Sequence, residues 1–296
     1  MAIVSKGPRD RGLGGDLHVY EPHKVGLPKL GPYLRQLWGR RQFAYELSRT
    51  TLRAQHFNTA FGQVWLVLNP LLLAVVYFML VDLLGGGKPA SFFAHLLGGL
   101  FAYYFISGAI SAGAGSVVGG GKLILNTSFP RALLPISAVL TAFMRFLPTL
   151  VVYAIAHVAA GQPIGLSLLW TVPIMALIVM FATGMAMLVA ATQVYFRDLG
   201  SFLPYLLRIW LYMSPVLFTV GELNHRMNGN GEKAMIWSVI KANPLYYILG
   251  SWTEVLDHGQ APTPAFLATS ALCSVVVLIV GALFFMSRER EFAVRL

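Results

Sequence analysis

The amino-acid sequence predicts an all-α integral membrane protein, and two observations support this prediction. Apolar residues make up 56% of the 296 residues and charged residues only 11%, a composition that does not suit a water-soluble surface. The chain also contains apolar stretches of about 20 residues, the length that a helix needs to cross a hydrocarbon core of about 30 Å. We predict six transmembrane helices, at 64–84, 92–118, 133–159, 169–195, 201–220 and 265–286.

The positive charges set the predicted orientation, because Lys and Arg near the ends of spans are retained in the cytoplasm. Ten of the 22 Lys and Arg residues precede residue 63. Others on the same predicted side are Lys122, Arg131, Arg197, Arg288, Arg290 and Arg295. We therefore expect both termini to be cytoplasmic. The net charge of +10 then reflects topology and contact with anionic membrane lipid, and indicates no nucleic-acid partner.

The segments outside the spans are also predicted. Residues 1–32 are rich in Gly and Pro and lack the apolar core of a signal peptide, which predicts a flexible cytoplasmic tail. Residues 33–62 predict an amphipathic interfacial helix, which lies on the inner leaflet, docks on a protein partner, or does both. Its apolar face comprises Leu34, Leu37, Trp38, Tyr45 and Leu52. Residues 63–288 form the membrane domain and 289–296 a cytoplasmic C-terminus.

The sequence argues against enzymes and ion-coupled carriers. It contains no H-E-x-x-H zinc motif, no G-x-S-x-G nucleophile motif and no pair of carboxylates inside a predicted span. Gly119-Gly120-Gly121-Lys122 resembles the end of a phosphate-binding loop, but Leu123 stands where Ser or Thr would hold magnesium. We therefore expect no metal site and no cofactor on this chain, with ATP and Mg on a separate partner subunit.

Short polar strings between the spans carry a resemblance to a known family. They are Gly62-Gln63-Val64-Trp65 with Asn69-Pro70, Asn126 with Phe129-Pro130-Arg131 and Pro135, Phe196-Arg197-Asp198-Leu199, Ser214-Pro215-Val216, and Asn243-Pro244-Leu245. In this order, from about residue 40 to the C-terminus, they resemble the Wzm-type permeases of ABC polysaccharide exporters. That group includes O-antigen, teichoic-acid and mycobacterial galactan exporters.

The resemblance implies a partner set and a location. It implies a homodimer of six-span permease subunits in the bacterial inner (plasma) membrane, with two copies of a separate ABC nucleotide-binding protein. It also implies export of a lipid-linked polysaccharide, with cell-wall galactan or O-antigen as possible cargoes. Two alternatives stay open: a polytopic membrane enzyme acting on polyprenyl-linked sugars, and a drug-type ABC permease.

Two junctions near the predicted cytoplasmic surface are candidate mechanical elements. The loop after the second span suits coupling to the ATPase, because its prolines fix rigid turns beside cytoplasmic charges; the alternative is an ordinary positive-inside loop. The coupling candidates are Lys122, Asn126, Phe129, Pro130 and Arg131. Arg197 and Asp198 predict a local ion pair that pins the junction between spans four and five.

Ser214-Pro215 predicts a bend in span five, as a structural kink or a hinge.

A glycan path needs polar groups and flat faces on which sugar rings stack, and tyrosine offers both. Tyr205, Arg208 and Tyr212 share one face of span five, and Tyr103 and Tyr104 lie in span two. We predict that these five residues line the channel, with Arg208 able to attract a pyrophosphate. Tyrosines at the membrane interfaces are the alternative. Whether Arg145 in span three also lines the channel is not decided by the sequence.

Two further patterns have alternative explanations. The stretch 221–264 predicts short helices that cover the exit, as the family's gate helices do, or that only lie on the surface. Its gate candidates are Asn243, Pro244, Tyr246 and Tyr247. In span two, a row of small residues indicates close helix packing, a subunit interface or a moving pore wall. That row comprises Gly108, Ala112, Ser116 and Gly120.

Overall fold

A computed structural model describes residues 28–55, 64–85, 87, 89–227 and 234–295. Most of the predicted tail and the Gly62-Gln63 pair lie outside these ranges. Every regular element within the ranges is helical. The all-α fold class is therefore confirmed.

Four long helices form the frame of the protein. They are α4 (Ala90–Gly119), α6 (Leu133–Ala159), α7 (Thr171–Tyr195) and α12 (Pro264–Arg288). Their boundaries lie within two residues of the predicted second, third, fourth and sixth spans. By length and hydropathy, the described stretches able to cross a membrane are Ser91–Gly119, Leu133–Ala159, Leu166–Tyr195 and Pro264–Arg295.

The first and fifth predicted spans have weaker counterparts. Helix α3 (Trp65–Gly85) has a shorter apolar part, Val67–Leu83. Helix α8 (Leu199–Tyr212) has 14 residues and rises roughly 21 Å, less than a hydrocarbon core of about 30 Å. The predicted helix 201–220 thus ends early, so the count of six spans stays a prediction.

Serine and proline end helix α8 instead of bending it. The Ser214 side chain reaches back to the last turn of α8, where its Oγ donates to the Trp210 carbonyl at 2.6 Å. Pro215 follows in a turn, and Val216 is fully buried against Gly99 of α4. The kink predicted for this position is therefore a helix end, fixed by packing on α4.

Glycine contacts hold the frame together, and of the two glycines in the predicted row Gly120 makes one, with its added Cβ 2.9 Å from Leu134 Cδ1 of α6, whereas Gly108 does not. An added Cβ at Gly184 of α7 would lie 2.6 Å from Leu278 Cα of α12, and one at Gly113 of α4 would lie 2.6 Å from Ala186 Cβ of α7. Gly108, Gly115 and Gly119 have no heavy atom within 4 Å of such a Cβ. Small residues permit close packing in lipid only where two backbones meet.

The predicted interfacial helix is two helices, α1 (Leu30–Gly39) and α2 (Arg41–Gln55). Helix α1 has no buried residue, and Trp38 is 69% exposed, as expected for a segment lying on a membrane surface. Helix α2 packs on α6, where buried Ser48 donates to the Ser137 carbonyl at 2.9 Å. Helix α2 thus docks on α6 of the same chain, while contact of this region with the inner leaflet or with a protein partner stays a prediction.

The remaining helices lie at the two ends of the frame. Helix α5 (Gly121–Asn126) and α13 (Phe292–Arg295) share one end with α1 and α2 and form a second apolar core there. Near the start of α4 and the end of α6 lies α11 (Pro244–His258), where His95 Nδ1 contacts Asp257 Oδ2 at 2.5 Å. Helices α9 (Val220–Met227) and α10 (Ala234–Ala242) precede α11. Helices α1, α2, α5 and α13, which come from segments predicted to be cytoplasmic, therefore lie together at one end of the frame.

Candidate functional site

A large cavity of about 1220 Å³ lies between α3, α4, α6 and α8. Its walls combine aromatic rings with hydroxyl, amide and guanidinium groups. The lining residues are Trp65, Asn69, Pro70, Leu73 and Tyr77 of α3; Phe101, Tyr103, Tyr104, Phe105, Ser107, Gly108 and Ser111 of α4; Ala142, Arg145, Phe146 and Thr149 of α6; and Pro204, Leu207, Arg208, Leu211 and Tyr212 of α8.

The cavity brings together four of the five predicted channel residues. Arg208 and Tyr212 reach it from α8, and Tyr104 reaches it from α4. Tyr103 also lines it, but is only 2% exposed and donates its hydroxyl to the Leu207 carbonyl, so it chiefly joins α4 to α8. Tyr205 is 65% exposed and is not among the lining residues.

Arg145 and Gly108, whose roles the sequence left open, also line the cavity. Arg145 lies near the middle of α6 and lines the same cavity as Arg208. An arginine within an apolar span indicates that this side chain faces protein or water, but the spacing of residues along one helix does not show which neighbouring helix it faces. Gly108 lines the cavity too, so this member of the small-residue row contributes to a cavity wall.

The predicted coupling loop lies beside α1 and α2. Phe129 packs on Phe43 of α2 with ring centroids 5.2 Å apart, and Arg40 donates to the Ser128 carbonyl. Lys122 and Asn126 of α5 are exposed, whereas Pro130 is buried. The loop therefore has an anchored side and an exposed side that a partner can contact.

A buried carboxylate connects three segments at this end. Glu289 Oε2 accepts from the Tyr33 hydroxyl at 2.6 Å, and its Oε1 accepts from the Arg131 backbone N–H at 2.6 Å. The Arg131 guanidinium donates to the Glu289 carbonyl. Burial and the neighbouring carboxylate raise the pKa of Tyr33, so its hydroxyl stays protonated and donates. We call Tyr33, Arg131 and Glu289 the Glu289 cluster.

The junction between α7 and α8 does not contain the predicted ion pair. Arg197 and Asp198 are both exposed, and the salt bridges recorded among the described residues do not join them. Their contacts run through the backbone: the Arg197 carbonyl accepts from Gln193 Nε2 at 3.4 Å, and the Asp198 carbonyl accepts from the Ser201 N–H at 3.0 Å. Adjacent side chains in a turn point apart, which explains the difference.

The predicted gate residues are tightly packed. Asn243 caps α11 by accepting from the Leu245 N–H at 3.0 Å, with Pro244 as the first helical residue. The same amide accepts from Trp210 Nε1 at 2.7 Å and donates to the Met213 carbonyl at 3.0 Å, which joins α11 to the end of α8. Tyr246 and Tyr247 pack on Phe266 of α12. These contacts place the four residues in one anchored unit.

Comparison with known proteins gives three informative relatives, whereas no family model matches the chain. The O-antigen export system permease protein RfbA of Klebsiella pneumoniae is 26% identical over 249 residues, which cover 83% of this chain and 92% of the relative. A second Klebsiella pneumoniae protein of that name is 23% identical over 248 residues, covering 83% and 92%. The RfbA of Myxococcus xanthus is 26% identical over 262 residues, covering 88% and 97%.

The chain is a relative of O-antigen export permeases. The match runs along nearly the whole of each relative, so it concerns the membrane domain as a unit. It confirms the resemblance to Wzm-type permeases that the polar strings carried. With the apolar helices, it supports a multi-pass membrane protein that is similar to permeases of export systems.

Proposed function

We propose that this chain is the transmembrane subunit of an ATP-driven ABC exporter that moves a lipid-linked polysaccharide out of the cytoplasm. The observation that carries the proposal is the aromatic and polar cavity among α3, α4, α6 and α8. Sugar rings stack on flat aromatic faces while their hydroxyls bond to polar side chains. The names of the three relatives point to the same class of cargo. O-antigen or cell-wall galactan fits this chemistry.

The energy comes from a separate nucleotide-binding protein that binds ATP and Mg. Two copies of it act on a homodimer of this chain in the bacterial inner membrane, with both termini cytoplasmic. The ATPase contacts the exposed side of the loop at Lys122 and Asn126, and its movement displaces the loop. Phe129 and Arg131 pass it to α2 and to the C-terminal segment through the contacts described above.

Affinity purification from the native membrane, combined with depletion, tests this function. We expect a soluble ATPase to co-purify in equal amount with the tagged chain, because the exporter needs one nucleotide-binding protein for each permease. We also expect lipid-linked glycan to accumulate inside depleted cells, because synthesis continues when export stops. Purification without an ATPase, together with arrested glycan synthesis, would instead favour the membrane enzyme.

Two tyrosines on α8 test whether the exported glycan passes through the cavity. Replacing Tyr212, which lines the cavity, by alanine should reduce export about two- to tenfold, because one aromatic stacking contact contributes roughly 0.5–1.5 kcal/mol. Tyr205→Ala is the matched control, since Tyr205 lies on the same helix but outside the cavity lining. The measurement is the rate at which surface glycan reappears after each variant is expressed in depleted cells. Equal losses in the two variants would contradict this path.

A further inference from the structure

Two arginines from different helices share the cavity. Arg145 projects from the middle of α6, and Arg208 from the second half of α8. Among the described residues that line the cavity, none is Asp or Glu. The cavity wall therefore carries two positive charges without a carboxylate beside them.

This arrangement is costly for an empty cavity in a membrane. A guanidinium within a span is unfavourable unless water or a counter-charge compensates it. The Nε of Arg145 is buried and has no hydrogen-bond partner among the described atoms. Buried donors of this kind are rarely left unsatisfied in folded proteins. A bound anion would supply the missing counter-charge and an acceptor for this donor.

The surrounding groups favour one kind of anion. Guanidinium groups bind phosphate oxygens through two parallel hydrogen bonds, which makes arginine well suited to phosphate. Arg208 lies within electrostatic range of the Tyr77 and Tyr104 hydroxyls, two further donors at the same wall. The absence of a lining carboxylate removes the competitor that would otherwise pair with the arginines.

We infer that Arg145 and Arg208 form a subsite for the phosphate-bearing head group of the exported lipid. The head group binds between α6 and α8, while the attached sugars stack on the aromatic wall of the same cavity. This subsite rests on the proposed export function and specifies which part of the cargo the cavity recognises. It also assigns Arg145 a role that the sequence left open.

The test measures binding by the purified full-length chain. One readout is the change in intrinsic tryptophan fluorescence, to which Trp65 at the cavity wall contributes, and the other is thermal stabilisation. The probes are farnesyl pyrophosphate, inorganic pyrophosphate and uncharged farnesol. Arg145→Gln and Arg208→Gln should each weaken farnesyl pyrophosphate binding at least about tenfold, because each removes a charge-assisted bidentate contact. Arg145→Lys should have an affinity for farnesyl pyrophosphate between those of wild type and Arg145→Gln, since lysine keeps the positive charge but lacks the planar pair of donors. Arg197→Gln, which removes an exposed arginine elsewhere, should bind like wild type.

The outcomes separate the subsite from the export proposal. Unchanged farnesol binding in Arg145→Gln would show that the cavity is still folded, so a selective loss of pyrophosphate binding supports the subsite. Wild-type affinity for farnesyl pyrophosphate in both glutamine variants would overturn it. Binding of inorganic pyrophosphate alone would assign the arginines to a free anion and overturn the lipid head group. Arginine-dependent binding without glycan accumulation on depletion would refute export and leave the anion site standing.

Discussion

Replacing Gly281 by alanine is expected to prevent the normal assembly of α7 and α12. An added Cβ at Gly281 would lie 2.7 Å from the Gly184 carbonyl carbon and even closer to its oxygen, a contact that only separation of the two backbones can relieve. Overpacking usually costs about 1–3 kcal/mol, and a clash between two backbones belongs at or above the top of that range. We expect a melting temperature in detergent lowered by roughly 5 °C or more, or loss of the monodisperse peak in size-exclusion chromatography.

Gly115→Ala provides the matched control for this prediction. Gly115 lies in the long helix α4, and no heavy atom lies within 4 Å of its added Cβ. The same chemical change should therefore leave the melting temperature near that of wild type, or raise it slightly, because alanine favours helix more than glycine does. Equal melting temperatures for the Gly281 and Gly115 variants would show that the α7–α12 contact is not as close as described.

Replacing Glu289 by alanine is expected to disconnect the loop that contains Arg131 from α1 and from the C-terminal segment. The Tyr33 hydroxyl and the Arg131 N–H would both lose their acceptor, and each unsatisfied buried donor costs about 1–3 kcal/mol. Glu289→Gln should have a smaller effect, because one side-chain oxygen still accepts. Melting temperature measures the stability change. The coupled readout is the ATPase activity of the whole complex compared with its export rate; we expect export to fall more than ATP hydrolysis.

Glu291→Gln is the control for the Glu289 cluster. Glu291 lies two residues further on, near the surface, where Arg288 and Arg295 approach its carboxylate at 3.7 and 3.4 Å. It also accepts from the Tyr195 hydroxyl at 2.7 Å, a bond that the side-chain oxygen of glutamine can keep. Exposed ion pairs contribute little, so stability and the ratio of export to ATP hydrolysis should stay close to wild type. If Glu289→Ala keeps both the wild-type melting temperature and the wild-type ratio, the cluster does not couple the three segments.

Much of the architecture was predictable because it depends on local properties of the chain. Long apolar stretches located α4, α6, α7 and α12 to within two residues, since a membrane-spanning helix is defined by length and hydropathy. Span five was predicted too long because Leu217 and Phe218 continue the apolar pattern past Tyr212, whereas packing of Val216 on α4 ends the helix. Hydropathy does not distinguish a helix from an apolar turn buried against a neighbour.

The site was predictable only in part, because the sequence shows which residues share a helix face but not which faces meet. The row of Arg208 and Tyr212 was found from spacing along α8, and the same spacing wrongly suggested that Tyr205 accompanies them at this cavity. Arg145 could not be paired with Arg208, because the two lie on helices that are separated by α7 in the chain. Glu289 was placed in a plain C-terminal tail, although it accepts hydrogen bonds from residues 256 and 158 positions away.

The sequence by itself determined the helical membrane class, the long spans and the gathering of positive charge at one end. These features follow from composition and from the length of apolar runs, which are properties of each segment alone. The tertiary structure decided that Gly184 meets Gly281, that Arg145 joins Arg208 in one cavity, and that Glu289 connects the coupling loop to α1. In a membrane the lipid-facing and protein-facing sides of a helix are similarly apolar, so hydropathy cannot tell them apart and only packing distinguishes them.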